Sequence, residues 1–178
     1  MAKKKIEFQN LHDDFILKLH SLYDIETQLV SALPKMAKSA ADEALRNAFE
    51  QHLTETEGHV KRLEEALADL GEKTKKEKVE AIRGLVKDAS WVIKTVKNDA
   101  ARDALLIASG QYVEHYEMAG YGAAIEWADM MGHDTVSSIL KETLSEEKAA
   151  DAKLNDLAKG GINARANTGM TPMEKLAG

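Results

Sequence analysis

The chain has 178 residues, of which 44% are hydrophobic and only 5% aromatic, and it carries a formal net charge of −6. This length suits one domain with a substantial core, and abundant Ala, Leu, Glu and Lys favour helix over sheet. The acidic balance argues against a nucleic-acid partner, which requires a basic surface. The sequence has no cysteine, which excludes disulfides and thiolate metal sites. Because no apolar run reaches the roughly 18 residues of a membrane span, we expect a cytoplasmic protein without a membrane partner.

Four long segments with helical periodicity follow one another along the chain. They run from about residue 8 to 38, from 42 to 70, from 99 to 131 and from 134 to 159. Pro34 lies near the end of the first segment, which it is expected to kink or end. Gly71 and Gly132 directly follow the second and third segments, where glycine favours a helix stop.

The connections predict how these helices pair. Only a few residues join the first helix to the second and the third to the fourth, so each pair should form an antiparallel hairpin. Residues 71–98 are longer and contain a short amphipathic segment from about 79 to 93. The sequence therefore predicts an all-α, ferritin-like antiparallel four-helix bundle, with two helical hairpins joined by a long crossover that carries a short extra helix. We assign residues 1–162 to this bundle and residues 163–178 to an irregular C-terminal tail.

Glutamates interrupt the apolar stripes of the predicted helices. At about 100° per residue, Glu26, Glu117 and Glu147 each fall at the centre of a stripe. In the second helix Thr56 is central and Glu55 lies near the margin. Residues equidistant from the turn of an antiparallel hairpin lie at one level, which pairs Glu26 with Glu55 and Glu117 with Glu147. We therefore predict four glutamates at one level of the bundle.

A second layer is predicted beside the glutamates, with His59, Glu114, Asp151 and the edge residue Tyr23. Several buried carboxylates repel one another and lose hydration, so the cluster needs protons, basic partners or metal. The stripes contain no Lys or Arg at that level, which favours metal, and oxygen-rich ligation with one or two histidines suits iron or manganese better than zinc. We predict two iron or manganese ions as cofactors. The predicted metal ligands are Glu26, Glu55, His59, Glu114, Glu117, Glu147 and Asp151.

Each candidate also has a structural interpretation. A buried glutamate can be protonated, Glu55 can be a surface residue at the stripe's boundary, and His59 can be a hydrogen-bonded core histidine. Asp151 can hydrogen-bond a histidine beside the site and not bind metal itself. His52 lies one turn beyond the glutamate layer and is assigned a structural role, and Tyr121 is interpreted as a packing residue.

Short stretches in all four long helices form a recognisable set. They are LYDIETQL at 22–29 with ALPKM at 32–36, HLTETEGHVKRLE at 52–64, VEHYE at 113–117 with AGYG at 119–122, and EEKAAD at 146–151. Over about residues 8 to 166 the set resembles the YciE/YciF family of ferritin-like stress proteins. The resemblance implies a ferritin-like bundle, a dinuclear metal centre and a homodimer.

The chain departs from the wider di-iron pattern, in which two helices usually supply Glu-x-x-His. Here the spacings are Glu55-x-x-x-His59 and Glu147-x-x-x-Asp151, and Thr56 stands where a glutamate one turn before a histidine would be expected.

Three functions are compatible with this sequence. The first is redox chemistry on peroxide or dioxygen in stress defence, as an oxidoreductase of the peroxidase or catalase kind. Disproportionation of peroxide suits a chain without cysteine, because it needs no separate electron donor. The second is metal sequestration without turnover. The third is a structural or interaction role for a helical stress protein.

Overall fold

The computed structural model describes residues 10–168, and every regular element in that range is helical. The elements are α1 (Leu11–Ser39), α2 (Glu43–Asp69), α3 (Glu80–Thr95), α4 (Asp99–Met131), α5 (Asp134–Leu157), a kinked turn (Ala158–Ile162) and α6 (Asn163–Asn167). The all-α bundle predicted from the sequence is confirmed. The predicted helix start at residue 8 and the last ten residues of the predicted tail lie outside the described residues.

Polar caps fix where the long helices begin. The side chains of Asn10, Asp42 and Asn98 accept hydrogen bonds from backbone N–H groups in the first turns of α1, α2 and α4. Such caps satisfy donors that have no partner within the helix. At the other end of α4, Gly132 has a φ of 75°, a left-handed conformation that glycine adopts at little cost. Local sequence therefore sets these boundaries close to the predicted ones.

Pro34 does not end α1, which continues to Ser39. Proline removes one hydrogen bond of the helix and crowds the preceding turn. The residues that follow compensate, because Met36 and Ala37 are buried in the core. Packing of the final turn thus outweighs the local preference against helix.

Contacts at the helix ends give the orientation of the bundle. Phe15 near the start of α1 stacks on His133, just beyond the end of α4. Asp103 near the start of α4 accepts hydrogen bonds from the backbone of residues 41 and 42, just beyond α1. Helices α1 and α4 are therefore antiparallel. Arg62 in the second half of α2 bonds Glu142 in the first half of α5, so these two helices are also antiparallel.

Helix α3 lies in the crossover and packs against α1 and α4. Its only three buried residues are Ile82, Ala89 and Val92. The buried Asp24 of α1 accepts a hydrogen bond from the backbone N–H of Val79 at 3.0 Å, which ties the start of α3 to the bundle. No helix in the described range has the length and apolar content needed to cross a membrane.

The predicted boundary at residue 162 falls between the kinked turn and α6. Gly161 has a φ of 134° there, so the chain changes direction. Residues 163–167, which the sequence assigned to the irregular tail, form the short helix α6. Its Arg165 contacts Asp42, the cap of α2.

Candidate metal centre

Six ionisable side chains from the four long helices converge in the centre of the bundle, and all are buried. They are Glu26 of α1, His52 and His59 of α2, Glu114 and Glu117 of α4, and Glu147 of α5. They form two overlapping groups whose potential ligand atoms lie within 4.8 Å of one another. We call Glu26, His59 and Glu147 the closed half, and His52, Glu114, Glu117 and Glu147 the open half. Glu147 belongs to both halves.

In the closed half, His59 is enclosed by carboxylates. Its Nδ1 atom lies 2.9 Å from Glu147 Oε1 and 3.4 Å from Glu26 Oε2. Tyr121 donates a 2.5 Å hydrogen bond to Glu26 Oε1. His59, Glu26 and Tyr121 are all 0% exposed, so these atoms are shielded from solvent.

The outer nitrogen of His59 contacts a second carboxylate. His59 Nε2 lies 2.8 Å from Glu146 Oε2. Arg62 donates hydrogen bonds to both oxygens of Glu146, at 2.6 and 2.9 Å. It also donates one to Glu142 at 2.6 Å. A bidentate guanidinium fixes both the position and the plane of a carboxylate. Glu146 thereby fixes the Nε2 edge of the imidazole while Nδ1 points to the cluster.

The open half is built around His52. Its Nε2 atom lies 3.3 Å from Glu114 Oε1 and 3.8 Å from Glu147 Oε2, and its Nδ1 atom lies 3.6 Å from Glu55 Oε2. A solvent-accessible pocket of about 290 Å³ reaches His52 and Glu114 from the surface between α2 and α5. This half therefore meets a route to solvent that the closed half does not share.

Burial and charge shift the protonation of the cluster strongly. Burial raises the pKa of Glu117 well above its usual range, and the neighbouring charges of Glu147 and Glu26 raise it further. Burial likewise raises the pKa of Glu114 and of Glu26. For Glu147, burial is outweighed by the nearby histidines, which lower its pKa.

The two histidines are shifted in the opposite direction from that expected for buried imidazoles. Burial alone would lower the pKa of His59, but the Glu147 and Glu26 carboxylates outweigh it and raise the pKa to about 11. For His52, burial is outweighed chiefly by Glu114 and Glu55, and the pKa rises to about 9. Without metal, protons on these histidines and on some glutamates therefore reduce the repulsion among the buried carboxylates.

The donor set fits a pair of divalent ions. Both oxygens of Glu117, together with Oε2 of Glu147 and Oε2 of Glu114, are buried without an aligned hydrogen-bond donor in the described structure, and Oε1 of Glu147 and Oε2 of Glu26 share the single Nδ1 atom of His59. Such atoms need a partner, since an unsatisfied buried polar group is costly. Four carboxylates would neutralise two divalent ions, and oxygen-rich sites with a few imidazoles suit iron and manganese.

The structure brings together five of the seven predicted ligands: Glu26, His59, Glu114, Glu117 and Glu147. Glu55 lies apart, with a side chain 28% exposed and a hydrogen bond from Gln51. Asp151 also lies outside both groups, where it faces Gln111, His115 and Asn155. Tyr23 bonds the exposed Glu64 and does not enter the cluster.

Three residues near the centre are not among the predicted ligands, although each contacts the cluster. His52, which was assigned a structural role, takes the place foreseen for Glu55. Tyr121, interpreted as packing, bonds Glu26. Glu146 was not considered. The signal for His52 was present, because His52 and His59 both lie within about 60° of Thr56 on the α2 wheel.

Comparisons with known proteins agree with the fold and the sequence motifs. A family model described as "Domain of unknown function (DUF892)" matches residues 10–167. Protein YciF of Escherichia coli is 40% identical over 162 residues, which cover 90% of this chain and 98% of that protein. The chain therefore belongs to the DUF892 family, and the resemblance to the YciE/YciF proteins is confirmed.

Solved structures give the same result. The crystal structure of the E. coli stress protein YciF matches with a TM-score of 0.84 and 41% identity, over 88% of this chain and 99% of that one. YcfI of Rhodopseudomonas palustris, for which a structural role has been suggested, matches with a TM-score of 0.83 and 37% identity. The match covers 86% of this chain and 98% of that one. A Xanthomonas campestris protein matches at 0.70 with 18% identity, over 89% and 98%, which supports the fold alone.

Proposed function

We propose that this DUF892 protein binds two iron or manganese ions in the six-residue cluster and uses them for redox chemistry on peroxide or dioxygen in stress defence. The observation that carries the proposal is the sharing of Glu147 between two buried ligand groups. A carboxylate between two ligand groups is suited to bridging two ions. One ion would be held by Glu26 and His59, and the other by His52 and Glu114. Glu117 belongs to the second group, and it also lies close enough to Glu26 for the charge of Glu26 to raise its pKa.

Bound ions would supply Lewis acidity and changes of oxidation state, while the protein's own residues would orient the ligands and exclude water. Tyr121 and the Glu146–Arg62 pair fix two of the donors. The pocket at His52 would admit a small oxidant. Disproportionation, in which two peroxide molecules give two waters and one dioxygen, balances without an external donor and therefore suits a chain without cysteine. The similarity to the E. coli stress protein YciF supports a role in stress defence.

Elemental analysis of the purified protein tests the proposal. We expect about two iron or manganese ions per chain, and none in the Glu26→Ala/Glu147→Ala double variant. Loaded protein should then consume peroxide or dioxygen. Tight binding without consumption would favour sequestration. If neither protein holds metal after anaerobic loading, the redox proposal is wrong and a structural role is favoured.

We also propose that the protein forms a homodimer through a groove between α3 and α4. Large hydrophobic side chains border this groove, with Trp91 60% exposed, Leu105 42% and Tyr112 65%. Exposed apolar patches of this kind mark interaction surfaces. Light scattering should show a dimer, and Trp91→Ala/Tyr112→Ala should give monomers. Met130→Ala, at another residue that is 76% exposed, is the control. A wild-type monomer would contradict the proposal.

A further inference from the structure

The pocket that reaches the open half has the construction of a small-molecule site. Its floor contains His52 and Glu114, and its walls include Phe49, Ala150 and Leu154. The volume of about 290 Å³ is near the lower end of the range typical of ligand pockets, about 300–1,000 Å³. Half of its ten lining residues are apolar and half are polar or charged, so it offers both an apolar surface and the convergent polar groups that ligand pockets use. The pocket is larger than peroxide or dioxygen alone would need.

Ala150 keeps this space open. It lies three residues after Glu147, the position at which the Glu-x-x-His pattern of di-iron bundles would place a histidine. In this chain that position contributes only a methyl group to the pocket wall. An imidazole there would occupy part of the volume and add a ligand to the cluster. The chain therefore lacks a histidine ligand at position 150 but leaves the open half accessible to small molecules.

The surroundings of the pocket favour an uncharged ligand with one polar end. Glu55 lines the pocket and Glu147 lies behind its floor, while Lys153 supplies the opposite charge in the wall. At the floor, His52 Nδ1 faces Glu55 at 3.6 Å, which is beyond hydrogen-bond distance, and Glu114 Oε2 accepts no hydrogen bond from residues 10–168. A hydroxyl group can donate to a carboxylate and accept from an imidazole, and a compact alkyl group would pack against Phe49 and Leu154.

We propose that the pocket binds a small neutral hydroxylic molecule, namely an alkyl hydroperoxide or the alcohol with the same carbon skeleton. The oxygen end contacts Glu114 and His52, and the alkyl body lies against Phe49, Ala150 and Leu154. Binding alone requires no metal. Turnover rests on the proposed function: cleavage of the O–O bond takes up two electrons and two protons and gives the alcohol and water. Divalent iron or manganese held by the cluster would donate these electrons, at one electron per ion, so that two ions per chain would reduce one hydroperoxide.

Binding is tested with tert-butyl alcohol on the full-length chain, first metal-free and then loaded with redox-inert zinc. Alanine methyl groups labelled with ¹³C report on the pocket, since Ala48, Ala149 and Ala150 line it. We expect saturable shifts of these methyl signals. Ala150→Leu should weaken binding at least about tenfold, while Ala152→Leu, at an exposed position on the same helix, should leave it unchanged. Shifts that do not saturate, or that persist in Ala150→Leu, would overturn the proposal.

If Ala150→Leu lowers stability, Ala150→Val provides a smaller obstruction that should weaken binding by a lesser factor. Strength of binding should then follow the size of residue 150, and equal binding by all variants would contradict the pocket site.

A turnover assay separates this inference from the proposed function. In a single-turnover experiment, wild type loaded with divalent iron or manganese should consume about one tert-butyl hydroperoxide per chain, and Ala150→Leu with equal metal content should do so at least about tenfold more slowly. Consumption of hydrogen peroxide should change much less, because that molecule needs little of the pocket. Saturable alcohol binding without consumption of any oxidant would support the pocket and overturn the proposed function. Consumption of tert-butyl hydroperoxide at the same rate by wild type and Ala150→Leu would support the proposed function and overturn the pocket.

Discussion

The two histidines of α2 offer a comparison between two halves of one site. His52 and His59 are seven residues apart, both are buried, and both approach Glu147. His59 is clamped, with Glu146 on its outer nitrogen and two carboxylates on its inner one. His52 lies at the floor of a pocket and makes longer contacts, from 3.3 to 3.8 Å. The same residue type is thus fixed in one half and accessible in the other.

This difference suggests a division of labour. A rigid, solvent-shielded ligand suits permanent retention of an ion, because preorganised ligands lose little freedom on binding. A ligand beside a pocket suits exchange of small molecules at the ion that it holds. We therefore assign retention of an ion to the closed half and access for small molecules to the open half.

Removal of the shared residue should have the largest effect. Glu147→Ala takes one donor from each half, so we expect both ions to be lost, as measured by elemental analysis after anaerobic loading. Glu55→Ala is the matched control, because Glu55 approaches His52 but lies outside both ligand groups, and it should retain both ions. A Glu147→Ala protein that keeps one ion would show that the halves bind independently.

The pH dependence of stability should separate the two histidines. The pKa of His52 is raised from 6.5 to about 9, so its protonated form stabilises the metal-free fold below pH 6.5. That contribution, up to about 3 kcal/mol, is lost as the pH rises from 6.5 to 9. The pKa of His59 is about 11, so its contribution continues to fall beyond pH 9.

Urea unfolding of metal-free protein over a pH series checks this order. His52→Gln should reduce the slope only between pH 6.5 and 9, whereas His59→Gln should reduce it up to pH 11. A wild-type stability that is flat over the whole range would refute the protonation scheme.

The clamp on His59 should matter less than the ligands themselves. Glu146→Ala frees the outer nitrogen of the ring, and loss of such a partner typically weakens metal binding by about 10–100-fold. Glu146→Gln keeps a carbonyl acceptor and should recover much of the loss. Glu142→Ala removes another 2.6 Å partner of Arg62 that does not contact His59, so it is the control. Competition with a chelator measures these affinities, and equal losses in both alanine variants would contradict a role through His59.

The smallest effect is expected at Tyr121. Tyr121→Phe deletes the 2.5 Å hydrogen bond to Glu26 while keeping the ring that fills the core. We expect a loss of about 1–3 kcal/mol in the free energy of unfolding, the usual cost of leaving a buried acceptor without its donor. Tyr112→Phe, on a residue 65% exposed, should change stability by much less. No difference between the two variants in chemical denaturation would disprove the contribution of this bond.

The bundle was predictable because helical periodicity, caps and short turns all indicated the same arrangement. Glu26, Glu117 and Glu147 were found for a related reason: a charge at the centre of an apolar stripe stands out. Glu55 lies outside both ligand groups because matching chain positions across the hairpin gives only the height of the backbone, and Glu55 is about 100° from the central Thr56 on the helical wheel.

The remaining differences depend on side-chain reach. The small Thr56 bonds its own helix at the His52 carbonyl, so the histidines on either side of it supply α2's contribution. Asp151, which has a shorter side chain than glutamate, bonds Asn155 and Gln111 at the margin. Neither the contact of Glu146 with His59 nor the pocket beside Ala150 leaves a periodic signal, because each depends on the packing of α2 against α5.

The most direct test of the two-half account is anomalous X-ray scattering from crystals grown with iron or manganese, recorded at the absorption edge of each metal. We predict two peaks about 3.5–4 Å apart, one beside His59 and Glu26, the other beside His52 and Glu114, and both within reach of Glu147. A single peak, or peaks away from Glu147, would contradict it.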